Sequence, residues 1–355
     1  MTDIPETMHS IDIVKYGPAK EALAYNENRP VPKIKKPTQV LIKVVAAGIN
    51  PVEAKARSGN MGLATGFILP IPSVLGADFS GVIAAKGTKV TEFEVGDEVF
   101  GSLHLPFGLE GTYAQYAIAD TSKSSIAKKP ANITHEEAAS GGIAVITAYQ
   151  GIVKNGNIDV NDTSVQRKIL VVGASGGVGS YGVQFAKAVG AETVAICSGR
   201  NAEFVKSLGT DRVVDYTQNG SIDALVKEEA GTFDLVFDCV GGEAYYKQLT
   251  PLLKKKGVFS TAVGDVEHFG SNTVKITELL SIGANLAYRS MFGCNSYKMI
   301  LHLPHSSFKE VAAFFESGKV RGTVKEVYSL KDTAAAHDQL MTHRTVGKIV
   351  LSIPQ

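Results

Sequence analysis

Apolar residues in this chain follow two rhythms, and the change between them falls near Asn132. From Ser10 to that point they come in short runs broken by Gly, Pro and Asp. Gln39–Gly48 (QVLIKVVAAG) reads as a strand, and Val74–Ala85 (VLGADFSGVIAA) contains another. Glu94–Gly101 and Gly111–Ala119 each begin at a turn signal and read the same way. Many short strands so punctuated predict a compact β-barrel-like domain, and no fixed period marks a repeat protein.

Beyond Asn132 the period lengthens. Thr134 with Glu137 three residues on has the form of a capping box, opening a helical stretch expected through Ala139–Gly151. A polar linker, residues 155–168, separates it from a regular alternation. Strands are expected at Lys168–Gly173, Thr193–Cys197, Arg212–Val214, Asp234–Asp238, Val258–Val263 and Asn285–Tyr288, with helical stretches between them. That pattern builds a parallel sheet with right-handed crossovers. The tail from Pro304 offers an amphipathic helix (Phe308–Ser317), a strand near Val324–Tyr328, a further helix and a closing strand, Lys348–Ile353. It is expected to pack back on the first domain. The fold class is therefore α/β: a β-rich domain over residues 1–135, completed by 300–355, and a doubly wound parallel sheet over 136–299.

One stretch carries candidate chemistry, KILVVGASGGVGSYGVQFAKAVG from Lys168 to Gly190. Its apolar run Ile169–Val172 reads as a buried strand, and Val178, Tyr181, Phe185 and Val189 recur at helical spacing. Between them stand Gly173, Ala174, Ser175, Gly176, Gly177, Val178 and Gly179. A helix start presents free backbone N–H groups, and after a strand and a glycine turn its usual guest is a dinucleotide pyrophosphate. The competing reading is a tight turn with no ligand. An NAD site usually places Asp or Glu about 20 residues past the turn, bonding the ribose 2′-hydroxyl. Here the next strand ends in Ser198-Gly199-Arg200-Asn201, without a carboxylate at the tip. A hydroxyl and a guanidinium suit a 2′-phosphate, so NADPH is the expected cofactor. The alternative for Arg200 is a solvated surface arginine. Val240-Gly241 and Val263-Gly264 end two further parallel strands, where ligands of such sheets bind.

Composition narrows the setting. The 355 residues are 44% hydrophobic and 20% charged, as in a soluble globular protein of about two domains. A net charge of +1 without a basic run argues against nucleic acid as a partner. No run approaches the ~18 apolar residues of a membrane span. The N-terminus has neither a secretory h-region nor the arginine-rich, acid-poor character of a transit peptide. Cys197, Cys239 and Cys294 are scattered and odd in number, which suits a reducing compartment; the cytoplasm is the expected location.

The order of a β-rich domain, an ASGGVGS turn and a short C-terminal return resembles the medium-chain dehydrogenase/reductase superfamily. Within it, Ala46–Gly59 (AAGINPVEAKARSG), Leu75–Ile83 (LGADFSGVI), Phe237–Gly242 (FDCVGG) and Arg344–Leu351 (RTVGKIVL) are similar to the quinone-oxidoreductase-like branch. The resemblance spans nearly the whole chain. It implies a GroES-like catalytic domain, a Rossmann domain, and NADPH-dependent reduction of quinones or activated alkenes. It also implies that Asn50 faces the nicotinamide and that Thr147 touches the surroundings of its ring; Tyr216 and Arg344 complete the residues assigned to the cofactor. Lys55, five residues after Asn50, is either an electrophilic or proton-donating group or a solvated lysine.

Many members of that superfamily are zinc alcohol dehydrogenases, with a cysteine and then a His-Glu pair in the segments matching Asn50 and Ala77-Asp78. This chain has neither there, and no cysteine precedes Cys197, so no metal is expected. His302 and His305 are spaced like ligands, but Pro304 breaks helical presentation; they read as surface histidines. Similar mitochondrial enoyl reductases carry a tyrosine acid where this chain has Met61, which puts enoyl-thioester reduction by that route in doubt. Tyr113 and Tyr116 fit a barrel strand and read as packing residues. Relatives pair through the last Rossmann strand, so the apolar segment Ile282–Phe292 points to a homodimer. A different class of reading is a nucleotide-loaded sensor or scaffold that has lost turnover.

Overall fold

The computed structural model describes residues 4–59, 69–104, 110–162, 164–264, 284–285, 288–289, 296–300 and 308–355. Two compact units result, Met1–Ile146 with Leu303–Gln355, and Thr147–His302. The boundary read from the sequence at residue 135 lies earlier than this, because the residues up to Ile146 stay with the first unit.

Among the described residues the first unit has eight strands before its chain leaves: β1 (Thr7–Ile13), β2 (Leu23–Pro30), β3 (Gln39–Gly48), β4 (Ser73–Val74), β5 (Asp78–Lys86), β6 (Glu98–Ser102), β7 (Tyr116–Asp120) and β8 (Ser125–Lys128). The second unit contributes β9 (Lys168–Val172), β10 (Glu192–Cys197), β11 (Arg212–Asp215), β12 (Phe233–Asp238), β13 (Leu253–Thr261) and β14 (Ser296–Met299), and the returning chain adds β15 (Val324–Ser329) and β16 (Lys348–Ser352).

In the first unit β3 is the hub. It pairs antiparallel with β5, β7 and β16, and the β3–β5 register shifts at Leu41/Ile42 and at Val44/Ala46. Such bulges bend a strand and raise its twist, which lets a sheet wrap around its own side chains. Val40, Ile42, Val44, Phe79, Val99 and Leu351 are enclosed in that way. Each such side chain contributes about 1.5–3 kcal/mol on leaving water. The tail does pack back: β16 lies between β15 and β3.

The second unit holds a parallel sheet of order β11-β10-β9-β12-β13-β14. Numbered from its own first strand this is 3-2-1-4-5-6, the doubly wound order of dinucleotide-binding sheets. Ile169–Val172 are fully buried, as an apolar run covered on both faces requires. The order reverses beside β9, and in such sheets that switch point at the carboxyl ends is where ligands bind.

Two expectations need correction. The sixth strand is Ser296–Met299, whereas Ala284, Asn285, Tyr288 and Arg289 are helical. The single helix expected through Ala139–Gly151 is divided into His135–Ala139, Ile143–Tyr149 and a wide turn at Gln150–Lys154. The capping box stands, with Glu137 N donating to Thr134 Oγ1 at 3.2 Å and Thr134 N to Glu137 Oε2 at 2.9 Å. The break follows because Gly142 lies against Asp78, whose Oδ1 accepts from Ile143 N at 2.8 Å and starts a new helix. Met61, Cys294, His302 and His305, and most of Ile282–Phe292, lie outside the described residues.

Candidate active and cofactor site

The turn after β9 is built to bring a helix close to a strand. A Cβ on Gly179 would stand 2.2 Å from Gly173 O, so any side chain there pushes the helix Gly177–Ala188 off the sheet. Gly176 is the N-cap of that helix and, having no side chain, makes no side-chain capping bond to its first N–H groups. A Cβ placed on Gly176 would meet nothing nearer than Gly173 O at 3.4 Å. There is thus room beside the N-cap, and a helix start of this kind suits the pyrophosphate of a dinucleotide. Ala174 is buried, while Ser175, Gly177 and Val178 are half-buried.

The end of β10 joins this turn. Asn201 Nδ2 donates to Ser175 Oγ at 3.1 Å, tying the 199–201 turn to the glycine turn. Ser198 is buried; Arg200 is exposed, and no described side chain pairs with it. Tyr216 is exposed beside them, its N–H donating to Cys197 O at 3.2 Å. The nearby Asp215 is engaged with Thr217 and with the backbone of Gly199, and these bonds hold its carboxyl below the usual range.

At the ends of β12 and β13, two residues that sequence reasoning missed do the positioning. Asp238 Oδ1 accepts from Val240 N and Gly241 N at 2.9 and 3.0 Å, and its Oδ2 accepts from Thr261 Oγ1 at 2.9 Å. Thr261 Oγ1 in turn accepts from Val263 N and Gly264 N at 3.2 and 2.9 Å. Gly242 N bonds Gly264 O at 2.9 Å, so the loops bearing Val240-Gly241 and Val263-Gly264 form one braced pair. Burial raises the pKa of Asp238, and these bonds oppose the shift. Thr147 is buried at the start of the same unit.

Asn50, Lys55 and Arg344 belong to the first unit. Asn50 is buried among three ionisable side chains, Glu53, Asp78 and Lys348, that are no more than 4% exposed. Lys348 Nζ donates to Asn50 Oδ1 at 2.6 Å and to Ile49 O at 2.8 Å, and lies 3.4 Å from Asp78 Oδ2. Asn50 Nδ2 donates to Asp78 Oδ2 at 2.9 Å and to Glu53 Oε1 at 3.2 Å, while Asn50 N donates to Glu53 Oε2 at 2.7 Å. Burial, and next the Asp78 charge, push the Glu53 carboxyl up to about 8; Lys348 and Asn50 pull the other way. Glu53 thus holds its proton to a higher pH than an exposed carboxyl does. The cluster was hidden in the sequence, since its members come from a helix start, a strand start and the closing strand.

Lys55 is half-buried on the helix Pro51–Ser58, and burial lowers its pKa. Arg344 is exposed, its backbone N–H bonded to Thr342 Oγ1. Tyr113 and Tyr116 are buried in the first unit's core, and the Tyr113 hydroxyl has no partner among the described residues. A cavity of about 530 Å³ elsewhere in this unit, lined by Lys89, Phe93, Ser124 and Phe308 among others, shares no residue with the site.

A zinc ion does not fit here. Zinc takes thiolate, imidazole or carboxylate ligands. Asn50 offers an amide, and the Asp78 carboxylate already touches an ammonium that would repel a dication. Among the described residues, no three His, Cys, Asp or Glu side chains are grouped to hold a metal ion, and no helix is long and apolar enough to cross a membrane.

Comparison with known proteins agrees with this architecture. Residues 36–131 match the alcohol dehydrogenase GroES-like domain, and residues 208–351 match the zinc-binding dehydrogenase domain. The chain is 31% identical to the mitochondrial NAD(P)H oxidoreductase RTN4IP1 of Danio rerio, over 96% of this chain and 90% of that one. It is 33% identical to a 2-methylene-furan-3-one reductase of Solanum lycopersicum, over 98% of this chain and 80% of that one. The solved quinone oxidoreductase of Coxiella burnetii superposes with a TM-score of 0.76 at 25% identity, covering 98% and 99% of the two chains. A glycine-turn cradle on a doubly wound sheet, a GroES-like β-rich unit and relatives of this kind lead to one conclusion: the chain belongs to the medium-chain dehydrogenase/reductase superfamily and is an NAD(P)H-dependent oxidoreductase.

Proposed function

We propose that this oxidoreductase works without zinc, prefers NADPH, and delivers hydride to a quinone or an α,β-unsaturated carbonyl. The observation that carries the reading is the replacement of zinc ligands by a carboxamide and an ammonium–carboxylate pair. Without a Lewis acid, an alcohol is a poor substrate for the site, whereas an electron-poor C=C or a quinone needs only a placed hydride donor.

The bound nicotinamide cofactor supplies the hydride. The chain's own residues then have separate tasks. The 174–179 turn binds the pyrophosphate, and Ser198, Arg200, Asn201 and Tyr216 surround the 2′-phosphate. Thr147 and the two braced loops orient the nicotinamide, and Asn50 is assigned to the reaction by the resemblance. Arg344 adds a cation for the cofactor's phosphates. Lys55, with its pKa lowered by burial, is the group proposed to polarise the acceptor or supply its proton.

The test is oxidation of NADPH and NADH against a quinone, a short enone and an enoyl thioester, before and after exhaustive chelation. Chelator-resistant turnover of the quinone or enone, faster with NADPH, is the expected result. Loss of turnover on chelation overturns the zinc-free reading. Tight NADPH binding with no oxidation across the panel moves the protein to a sensor or scaffold.

A further inference from the structure

Asp215 closes β11 opposite Cys197, the last residue of β10, so its carboxylate stands beside the turn Ser198-Gly199-Arg200-Asn201. A carboxylate there conflicts with an NADPH site. Left free, it would bond a ribose hydroxyl, as in an NAD site, or repel a 2′-phosphate.

Its oxygens are already engaged. Oδ1 accepts from Thr217 N at 3.0 Å and from Thr217 Oγ1 at 2.7 Å. Oδ2 accepts from Gln218 Nε2 at 3.4 Å and faces Gly199 so closely that a Cβ there would stand 2.3 Å away. Bonds from Thr217 first, and then from the Gly199 backbone, hold the carboxyl below its usual range. The main chain reinforces the contact, with Tyr216 N bonded to Cys197 O at 3.2 Å and Ser221 Oγ to Asp215 O at 2.7 Å. On its other side the turn is tied to the glycine turn by Asn201 Nδ2, which donates to Ser175 Oγ at 3.1 Å. Arg200 stands exposed between these two anchors.

We propose that Asp215 is a positioning residue for cofactor choice: it bonds no ribose hydroxyl, and instead anchors Gly199 so that Ser198 and Arg200 meet the 2′-phosphate of NADPH. This rests on the reading that the 198–201 turn surrounds that phosphate. Gly199 is part of the device, because any side chain there displaces the carboxylate.

The test is calorimetric titration of NADPH and NADH into whole protein, for wild type, Asp215→Ala and Gly199→Ala. Asp215→Ala removes the anchor together with its charge, whereas Gly199→Ala pushes the carboxylate aside and keeps the charge. Both variants are expected to lower the ratio of NADPH to NADH affinity about tenfold, as for one misplaced hydrogen bond to a charged group, with NADH nearly unchanged. A carboxylate that bonded the ribose would give the opposite sign, with NADH weakened more than NADPH by Asp215→Ala. One that only repelled the phosphate would let Asp215→Ala strengthen NADPH and leave Gly199→Ala like wild type. Equal weakening of both cofactors would make Asp215 a support of the fold alone, and no change in either would show that the turn needs no anchor. Each of these four results overturns the proposal while wild type still prefers NADPH. A wild type without that preference overturns the NADPH reading first, and the proposal falls with it.

Discussion

Glu53 is a carboxyl group wholly buried in the fold, and its proton is part of the folded state. Its pKa is about 8 in the fold against 4.5 in the unfolded chain, so between those values the folded state binds more protons. The stability it contributes is whole below about pH 4.5 and is lost as pH rises through about 8. Glu53→Gln keeps the shape without the titration. The wild-type melting temperature should therefore fall more steeply than the variant's between about pH 6 and 9, by calorimetry; parallel curves would show that Glu53 does not titrate there. Arg200 carries the proposed NADPH preference. Arg200→Ala should weaken NADPH about tenfold and leave NADH nearly unchanged, since a hydrogen bond to a charged group is worth about 1.5–3 kcal/mol. Equal effects on both cofactors would reduce it to surface decoration. The two residues differ in legibility. Arg200 stands at a strand tip that a motif locates, whereas Glu53 sits in PVEAKARS, which reads as a solvated helix face until the fold covers it.

Local elements were readable wherever a buried apolar run or a turn residue specified them. The strand, turn and helix from Lys168 to Ala188 follow directly from Ile169–Val172, the glycines, and the spacing of Tyr181 and Phe185. Gly179→Ala tests that unit. With its Cβ 2.2 Å from a carbonyl oxygen, the variant should lose about 1–3 kcal/mol in denaturant melts and weaken cofactor binding. Wild-type stability and affinity together would show that the helix can move away freely. Other elements were not readable for equally physical reasons. β14, SYKM, ends the sheet among the described residues, with three half-buried positions and no apolar run to announce it. The break after Ala139 is imposed from a distance by Asp78, a tertiary contact that local periodicity does not contain.

At the scale of the molecule, the two-domain organisation was visible as a change of hydrophobic period, while the buried polar cluster was not, because its parts are nearly 300 residues apart in sequence. Self-association also belongs to this scale. β14 closes one side of the parallel sheet among the described residues, and a free sheet edge invites pairing with a second copy. Sedimentation velocity is expected to show a species of twice 37.6 kDa, and a lone 37.6 kDa boundary at micromolar concentration would remove the dimer.

The discontinuous first unit sets an order of events at the ribosome. The six described strands of the parallel sheet have been synthesised by Met299, but β3 gains its neighbour β16 only when Lys348–Ser352 emerges. Until then Asp78 and Asn50 wait without the ammonium that holds them. The nascent chain can thus assemble its nucleotide-binding half early, while the half that carries Asn50 is the last to close.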